Sequence, residues 1–535
     1  MTGSGAFCLG VSIPVDSASG SRPAIRFDSA APESRTGLPD SICLTDDGRV
    51  IARRDRMGLG TIHFARSAAG ELLLSDSLSR IAGKLGMVTL DPSSVCEHLT
   101  YRYVSGTRTL FREISTVPAG YRAVFMPERD GSWPCRLERD SPFAWGDQAA
   151  RPLPEVSRGF GELLEGEAFR LSTDSGHLFF SGGLDSSLIA SFYTDTPEAL
   201  TAGTAEEAYD ECPRAEMAAS AMNLRWSGAR LAEADFLPML RRAIAASGGT
   251  LPVEQITSYQ LLLEEFSPGG PVLAGYGADF LFGEGQRKYW AVLRLSRIVG
   301  MMAVQAGLGL YGRLGGRQRQ QAGTAREFVR RLSDGDTWID MMPSLDPPCH
   351  PDIARISLGL DSLPDYNEHR RRMLTDEMPP HLTQRVFVTY SNLIADTIAC
   401  WSRLLSAGGC SLRLPFLSTT LVDYVCGLDP RSYLRITERK PVIRTLAGKR
   451  LPPGILGLPK MSGALPVWRW IGSVEGGFHP VLGRLESRNF LDLRPSLSSL
   501  RASERYGYIP VWSSVNLELL LEHLEDAGVR IAGMR

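Results

Sequence analysis

Residues 179–187 of the chain read Phe-Phe-Ser-Gly-Gly-Leu-Asp-Ser-Ser, where an apolar run ends and a helical pattern begins. The run at residues 177–180 predicts a buried strand, and residues 187–192 predict the start of a helix. Gly182 and Gly183 allow a tight turn whose N–H groups can face an anion at the positive end of that helix. This stretch therefore predicts a strand-turn-helix unit that binds an anion.

The acidic residue of this turn points to an anion that carries a metal ion. Asp185 would repel a bare phosphate, but Mg²⁺ accepts carboxylate ligands and can bridge one to pyrophosphate. The chain contains no GxxxxGK[ST] loop, so Walker-type phosphate binding is not predicted. The residues that we expect to hold the anion are Ser181, Gly182, Gly183, Asp185, Ser186 and Ser187.

A second glycine turn follows another apolar run. Residues 273–283 read Leu-Ala-Gly-Tyr-Gly-Ala-Asp-Phe-Leu-Phe-Gly. Gly275 allows close approach of a nucleotide, and Asp279 is a second candidate Mg²⁺ ligand. The carboxyl ends of parallel strands meet at one edge of a sheet, so Asp185 and Asp279 are predicted to share one crevice.

The order of the predicted elements indicates an α/β fold. Apolar runs at residues 177–180, 199–204 and 271–274 are each followed by a helical stretch, which is typical of an open parallel sheet. Residues 1–150 read as short strands and turns, and the chain beyond residue 285 is mostly helical in pattern. Three prolines in residues 141–154 mark the boundary, so we predict domains at 1–150 and 151–535.

Composition excludes several classes of protein. The 535 residues carry a net charge of −2 with 43% hydrophobic residues, which is unlike a disordered chain or a basic nucleic-acid coat. The most suspicious apolar stretch, the fifteen uncharged residues 298–312, is too short to span a membrane. No basic residue precedes Arg22, so no signal peptide is predicted. Nine scattered cysteines without a CxxC pair suggest a reducing cytoplasm. The near-neutral charge and the lack of a spanning stretch predict no nucleic-acid or membrane partner.

Both glycine turns resemble motifs of the ATP pyrophosphatase superfamily, and the first resembles the SGGLDSS loop of asparagine synthetases. The resemblance implies ATP and Mg²⁺ as cofactors, cleavage of ATP to AMP and pyrophosphate, and a C-terminal ATP-pyrophosphatase domain with an open parallel sheet and helices. Residues 413–417 (Arg-Leu-Pro-Phe-Leu) resemble a further block, although Ser418 replaces its aspartate. Lys440 and Lys460 match tail lysines, which implies that Lys440 binds phosphate and Lys460 is catalytic; Leu458 replaces an arginine there.

The N-terminal region resembles a degenerate glutaminase-like (Ntn-type) domain. The segments that carry this likeness are residues 54–60, 73–76, 109–114 and 118–121. Glutaminase chemistry needs a cysteine at the mature N-terminus, whereas Cys8 is internal here. We therefore expect the attacking amine to belong to the substrate itself.

Tyr276 favours an amide closed within one substrate. Asparagine synthetases usually have glutamate at this position, whereas β-lactam synthetase has a tyrosine paired with an acid. Asp396, in the helix-like residues 388–405, lies about where that acid would fall, and such a pair could take the proton of the amine. A structural role for Asp396 stays open at this point.

Two subclasses of the family fit these features. Lasso peptide cyclases have a shortened N-terminal half and often end in an apolar helix with a proline, which residues 509–521 resemble. This favours macrolactam formation on a precursor peptide, with a leader peptidase and a leader-binding protein as candidate partners. A β-lactam-synthetase-like enzyme for a small molecule and an inactive nucleotide-binding scaffold are the alternatives.

Two further segments each fit both a structural and a functional interpretation. Residues 313–331 hold six arginines and one acid, which is typical of a solvated helix face or of a docking patch for an acidic partner. Residues 307–312 match GxGxxG, but no clear strand precedes them and no acid follows at the required distance. We interpret that match as a helix or loop.

Overall fold

The structure is a computed structural model of the whole chain. It describes residues 12–13, 25–28, 41–45, 47–128, 132–171, 176–193, 197–283, 295, 299–311, 351–365, 368–435, 437–458, 465–473, 477–502 and 508–533. Three features of the sequence lie outside these residues: Cys8, the arginine-rich residues 313–331, and residues 459–460, which include Lys460.

The strands are β1 (Ser12–Ile13), β2 (Ile25–Asp28), β3 (Ser41–Leu44), β4 (Val50–Arg53), β5 (His63–Arg66), β6 (Leu72–Ser75), β7 (Met87–Thr89), β8 (Ser115–Thr116), β9 (Tyr121–Phe125), β10 (Cys135–Arg139), β11 (His177–Phe179), β12 (Glu198–Thr204), β13 (Trp226–Leu231), β14 (Gly270–Ala274), β15 (Cys410–Arg413) and β16 (Arg530–Ala532).

The helices before residue 360 are α1 (Leu78–Leu85), α2 (Pro92–Tyr101), α3 (Leu153–Leu171), α4 (Leu184–Ala190), α5 (Cys212–Ala221), α6 (Glu233–Ser247), α7 (Gln255–Phe266), α8 (Ala278–Leu281), α9 (Met301–Tyr311) and α10 (Pro351–Ser357). Those that follow are α11 (Glu368–Glu377), α12 (Leu382–Ala407), α13 (Thr419–Cys426), α14 (Pro441–Arg450), α15 (Pro453–Leu456), α16 (Val467–Trp470), α17 (Phe478–Ser487), α18 (Arg494–Ala502) and α19 (Ile509–Asp526). Short 3₁₀ turns occupy Glu207–Tyr209, Pro415–Leu417 and Pro430–Ser432.

A five-stranded parallel sheet carries the two glycine turns. Its order is β13-β12-β11-β14-β15, and β11 lies between β12 and β14, with Leu178 opposite both Ala199 and Leu273. These three residues are fully or almost fully buried, as expected for strands covered by helices. The three predicted strands and the parallel α/β architecture are confirmed.

The sequence prediction missed the two outer strands of this sheet. The residues of β13 read Trp-Ser-Gly-Ala-Arg-Leu and form no apolar run, because most of its side chains are only partly buried. The β15 strand is four residues long and ends at Arg413, directly before Leu414-Pro415. Pairing with a neighbouring strand, rather than local pattern, makes both segments extended.

The N-terminal region contains two further sheets, with orders β1-β2-β6-β5-β8 and β10-β9-β4-β3. This agrees with the strand-rich pattern of residues 1–150, whereas the glutaminase-like origin and the boundary at residue 150 stay predictions. The β7 strand also pairs in parallel with β16, which joins the N-terminal region to the last described strand. The buried helix α19 begins with Ile509-Pro510, as the pattern of residues 509–521 predicts.

The structure also bears on two segments of the sequence, the GxGxxG match and the candidate membrane span. The GxGxxG match at residues 307–312 begins inside α9, so its first residues are helical rather than a nucleotide turn. Among the described residues, no helix combines the length and the apolar character needed to cross a membrane.

Candidate functional site

The first glycine turn lies directly on the backbone of α5. Gly182 has φ +62°, and a Cβ added there would stand 2.8 Å from both the Cα of Ala215 and the carbonyl oxygen of Arg214. Position 182 therefore excludes any side chain on grounds of both conformation and space. Gly183 follows as the N-terminal cap of α4 and makes no side-chain cap hydrogen bond.

Serine hydroxyls line this turn. The Oγ of Ser181 lies 3.3 Å from the Oγ of Ser186 and accepts a hydrogen bond from the Gly183 N–H at 3.3 Å. The Ser186 hydroxyl donates to the Gly183 carbonyl at 3.2 Å. Ser187 is fully buried, and its Oγ has no hydrogen-bond partner among the described residues. An unpaired buried hydroxyl beside a cluster of hydroxyls fits a ligand rich in acceptor oxygens, such as a phosphate group.

The second glycine turn packs against the first. A Cβ added at Gly275 would lie 2.8 Å from the backbone nitrogen of Ser186 and 3.0 Å from the carbonyl carbon of Asp185. Gly277 has φ +104°, and its Cβ would lie 2.4 Å from the Leu417 side chain. The two turns and the 413–417 block thus meet at the carboxyl ends of β11, β14 and β15, as predicted for a shared crevice.

Lys440 joins the two candidate Mg²⁺ ligands. It lies at the N-terminal cap of α14 with φ +49°, and its Nζ forms ion pairs with Asp185 and, at 2.9 Å, with Asp279 Oδ1. Burial alone would lower the pKa of Lys440, but the two carboxylates outweigh it and raise the pKa. The lysine is therefore an ammonium that pairs with both aspartates and offsets part of their charge.

The donor set of this crevice fits Mg²⁺. Carboxylate oxygens are preferred ligands of this ion, and the structure brings those of Asp185 and Asp279 to one cation. The side chain of Asp279 is about half exposed, so an incoming metal-nucleotide complex can approach it from solvent. With the metal bound, the ammonium of Lys440 would be available to phosphate oxygens.

Tyr276 lies in the same crevice, between Asp279 and the N-terminal region. Burial and the Asp279 carboxylate raise the pKa of its hydroxyl to about 12, against the opposing effects of Arg102 and of a hydrogen bond with Thr397. Its ring packs edge-on against Trp401 with 5.8 Å between centroids. The hydroxyl is thus positioned by α12, the helix that also holds Asp396.

Asp396 has a different environment from Tyr276. Burial raises the pKa of its carboxyl group to about 6, against the opposing charges of Arg54 and Arg403, and Glu97 adds to the increase. Two of these neighbours belong to the N-terminal region. The structure places the adjacent Thr397 at the Tyr276 hydroxyl. The pairing of Asp396 with this tyrosine stays a prediction.

The structure thus brings together most of the predicted site residues. These are Ser181, Gly182, Gly183, Asp185, Ser186, Ser187, Gly275, Tyr276, Asp279 and Lys440. Lys460 lies outside the described residues, so its predicted catalytic role has no structural account.

Sequence reasoning missed two residues of this site. Arg214 donates from Nε and Nη2 to the Ser181 carbonyl, and Thr397 bonds to Tyr276. Arg214 lies on a helix with no glycine motif, and Thr397 lies inside a long helix. Only the folded arrangement reveals them, because no local sequence pattern distinguishes either residue.

The comparison with known proteins agrees with this arrangement. A search of curated proteins finds no match. The family model for asparagine synthase matches residues 175–509, which include both glycine turns, Tyr276 and Lys440. This match covers more than half of the 535 residues, and the chain therefore belongs to the asparagine synthase family of ATP-dependent, amide-forming ligases.

Proposed function

We propose that this ligase forms an amide within a single substrate, as a lasso peptide macrolactam cyclase. It activates an Asp or Glu side chain of a precursor peptide with ATP and joins it to the N-terminal amine of the same peptide. The observation that carries the proposal is Tyr276 beside Asp279, in the crevice that Asp185 and Lys440 also line. A tyrosine there suits removal of a proton from a substrate amine.

The first half of the reaction activates the carboxylate. A carboxylate oxygen of the substrate attacks the α-phosphorus of ATP, which gives an acyl-adenylate and releases pyrophosphate. The turn at residues 181–187 offers hydroxyl and amide donors to the leaving pyrophosphate, and the ammonium of Lys440 offsets its charge. Mg²⁺ held by Asp185 and Asp279 would supply further charge compensation for the phosphates.

The second half forms the amide. The peptide amine attacks the acyl carbon, AMP leaves with the electron pair of the broken anhydride bond, and the amine nitrogen loses a proton. We assign Tyr276 the role of accepting that proton; burial raises the pKa of its hydroxyl to about 12, and the charge of Arg102 and the hydrogen bond with Thr397 offset that rise only in part. Holding the amine near the acyl carbon supplies the high effective concentration that ring closure requires.

The same site chemistry suits a glutamine-independent synthetase for a small molecule, which is the second candidate. Tyr276 favours it as well, because β-lactam synthetase resembles this chain at that position. The C-terminal helix α19, with its proline near the start, favours the peptide cyclase. Under the peptide proposal the partners are the precursor peptide, a leader peptidase and a leader-binding protein, all in the cytoplasm.

The test is mass spectrometry of a leaderless candidate peptide encoded beside the gene. The peptide is incubated with the protein, ATP, Mg²⁺ and any maturation proteins encoded nearby, and AMP is quantified in parallel. We expect the loss of one water per peptide, matched by one AMP. AMP formation with a small amino-carboxylate and no change in the peptide would support the second candidate instead.

A matched pair of variants shows whether the assigned crevice performs the reaction. Asp185→Asn should lower AMP formation by about a hundredfold or more. The substitution removes the carboxylate charge that pairs with Lys440 and that would bind the proposed metal. Asp147→Asn changes an exposed aspartate that pairs with Arg151 and should leave the rate unchanged. Full activity of Asp185→Asn would contradict the assignment.

A further inference from the structure

Arg214 is anchored beneath the first glycine turn. This residue of α5 is mostly buried, and it donates two hydrogen bonds to the Ser181 carbonyl, from Nε at 3.0 Å and from Nη2 at 2.7 Å. The Nη2 atom also donates to Glu211 Oε1 at 3.2 Å. Nη2 therefore bonds to both the Glu211 carboxylate and the Ser181 carbonyl, and together with Nε it grips one peptide group of the turn.

The gripped peptide group is the one that joins Ser181 to Gly182. In a planar trans peptide the C=O and the N–H point in opposite directions. Because Arg214 holds the carbonyl, the Gly182 N–H points away from the guanidinium. The left-handed conformation of Gly182, in contact with the backbone of α5, keeps the turn in this orientation.

We propose that Arg214, held by Glu211, is a positioning residue that orients the Ser181–Gly182 peptide so that its N–H can donate to an oxygen of the pyrophosphate part of ATP. This inference rests on the proposed role of residues 181–187 in binding pyrophosphate. Arg214 acts through the backbone of the turn, so it sets the affinity for the pyrophosphate part of ATP without contacting the substrate carboxylate or amine.

The proposal predicts different effects of Arg214 on the binding of ATP and of AMP, which share the adenosine part. ATP and pyrophosphate both use the turn, whereas AMP lacks the β- and γ-phosphates. Loss of Arg214 should therefore weaken binding of ATP and of pyrophosphate and leave binding of AMP unchanged. A residue that only stabilises the fold would weaken all three ligands alike, or none of them.

The experiment is isothermal titration of the full-length protein with Mg²⁺ and, separately, α,β-methylene-ATP, pyrophosphate and AMP. Arg214→Met should weaken the first two ligands by about tenfold or more, with AMP affinity within about twofold of the wild type. Arg214→Lys should lie between, because an ammonium cannot reproduce the two-pronged contact with the carbonyl. Arg230→Met is the matched control, since Arg230 on β13 pairs with Asp210 and makes no hydrogen bond to the turn among the described residues.

The outcomes distinguish a failure of the role proposed for Arg214 from a failure of the role proposed for residues 181–187. Unchanged pyrophosphate affinity in Arg214→Met, or an equal loss for AMP, would overturn the role of Arg214. Failure of the wild type to bind pyrophosphate would instead overturn the role of residues 181–187, and this inference with it. If Arg214→Met does not fold, Glu211→Gln keeps the guanidinium but weakens its anchor, and it should shift the same two affinities in the same direction.

Discussion

Among single residues, Lys440 is a buried cation of the site. Its ammonium is mostly buried and pairs with Asp185 and Asp279, so it occupies the place between two carboxylates that a divalent cation would take. Removing a buried cation from such a pair leaves two like charges facing each other. The lysine therefore keeps the carboxylates together when no metal-nucleotide complex is bound.

This arrangement predicts the metal affinity of the nucleotide-free protein. Lys440→Met should bind Mn²⁺ without ATP at least about tenfold more tightly than the wild type, because the two carboxylates lose their competing cation. The bound fraction can be measured by electron paramagnetic resonance of free Mn²⁺. Lys449→Met, at the exposed end of α14, is the control and should behave as the wild type. Equal Mn²⁺ affinity in Lys440→Met and the wild type would contradict the prediction.

Among secondary-structure elements, the contact of the two strand-to-helix turns decides the geometry of the site. Gly275 after β14 and Asp185 at the start of α4 approach so closely that no Cβ fits between them. The strands β11 and β14 are neighbours in register, with Phe179 opposite Ala274, so their turns emerge side by side. The sheet thus converts two separate sequence motifs into one crevice.

Gly275→Ala tests this contact. The added Cβ would meet backbone atoms of Asp185 and Ser186, which cannot rotate away, so we expect destabilisation by about 1–3 kcal/mol and a loss of ATP-dependent activity larger than the stability change explains. Urea denaturation and AMP release measure the two effects. Gly448→Ala, in α14 with no heavy atom near its added Cβ, should be neutral or stabilising. Unchanged activity in Gly275→Ala would show that the two turns tolerate separation.

For the whole molecule, buried charges tie the N-terminal region to the helical part of the chain. Glu377 at the end of α11 is fully buried, pairs with Arg139 and accepts a hydrogen bond from the Phe143 N–H at 2.8 Å. The Trp145 indole donates to the Glu377 carbonyl at 2.5 Å. These contacts make the N-terminal region a structural partner of the catalytic part.

Glu377→Ala should therefore destabilise the protein strongly. The substitution leaves the largely buried guanidinium of Arg139 without its carboxylate, an imbalance that typically costs about 3–5 kcal/mol. The midpoint of urea denaturation measures the loss. Glu368→Ala changes an exposed residue of the same helix and should alter the midpoint little. A small effect of Glu377→Ala would mean that the contact contributes little to stability.

Asp396 predicts a pH dependence of stability. Its folded pKa of about 6 lies above the ordinary value of 3.8, so the folded state holds more protons than the unfolded state between these values. This group therefore lowers stability as pH rises from about 4 to 6, by about 3 kcal/mol in total. Asp396→Asn should remove that dependence and be the more stable protein at pH 7, with no advantage at pH 4. Parallel stability curves over this range would contradict the prediction.

Local sequence signals located three strands of the parallel sheet, the two glycine turns and several functional groups of this protein. Glycine is required where φ is positive at positions 182 and 277, and apolar runs mark β11, β12 and β14, because these features depend on each residue and its near neighbours. Tertiary structure alone decided that β13 and β15 are strands, that Lys440 meets Asp185, and that Arg214 grips Ser181. It also placed Thr397 at the Tyr276 hydroxyl, since which residue of a helix meets a distant turn depends on packing across the whole core. The family and the candidate phosphate turn were thus legible in local sequence, whereas the cation between the aspartates and the support beneath the turn arise only when distant segments fold together.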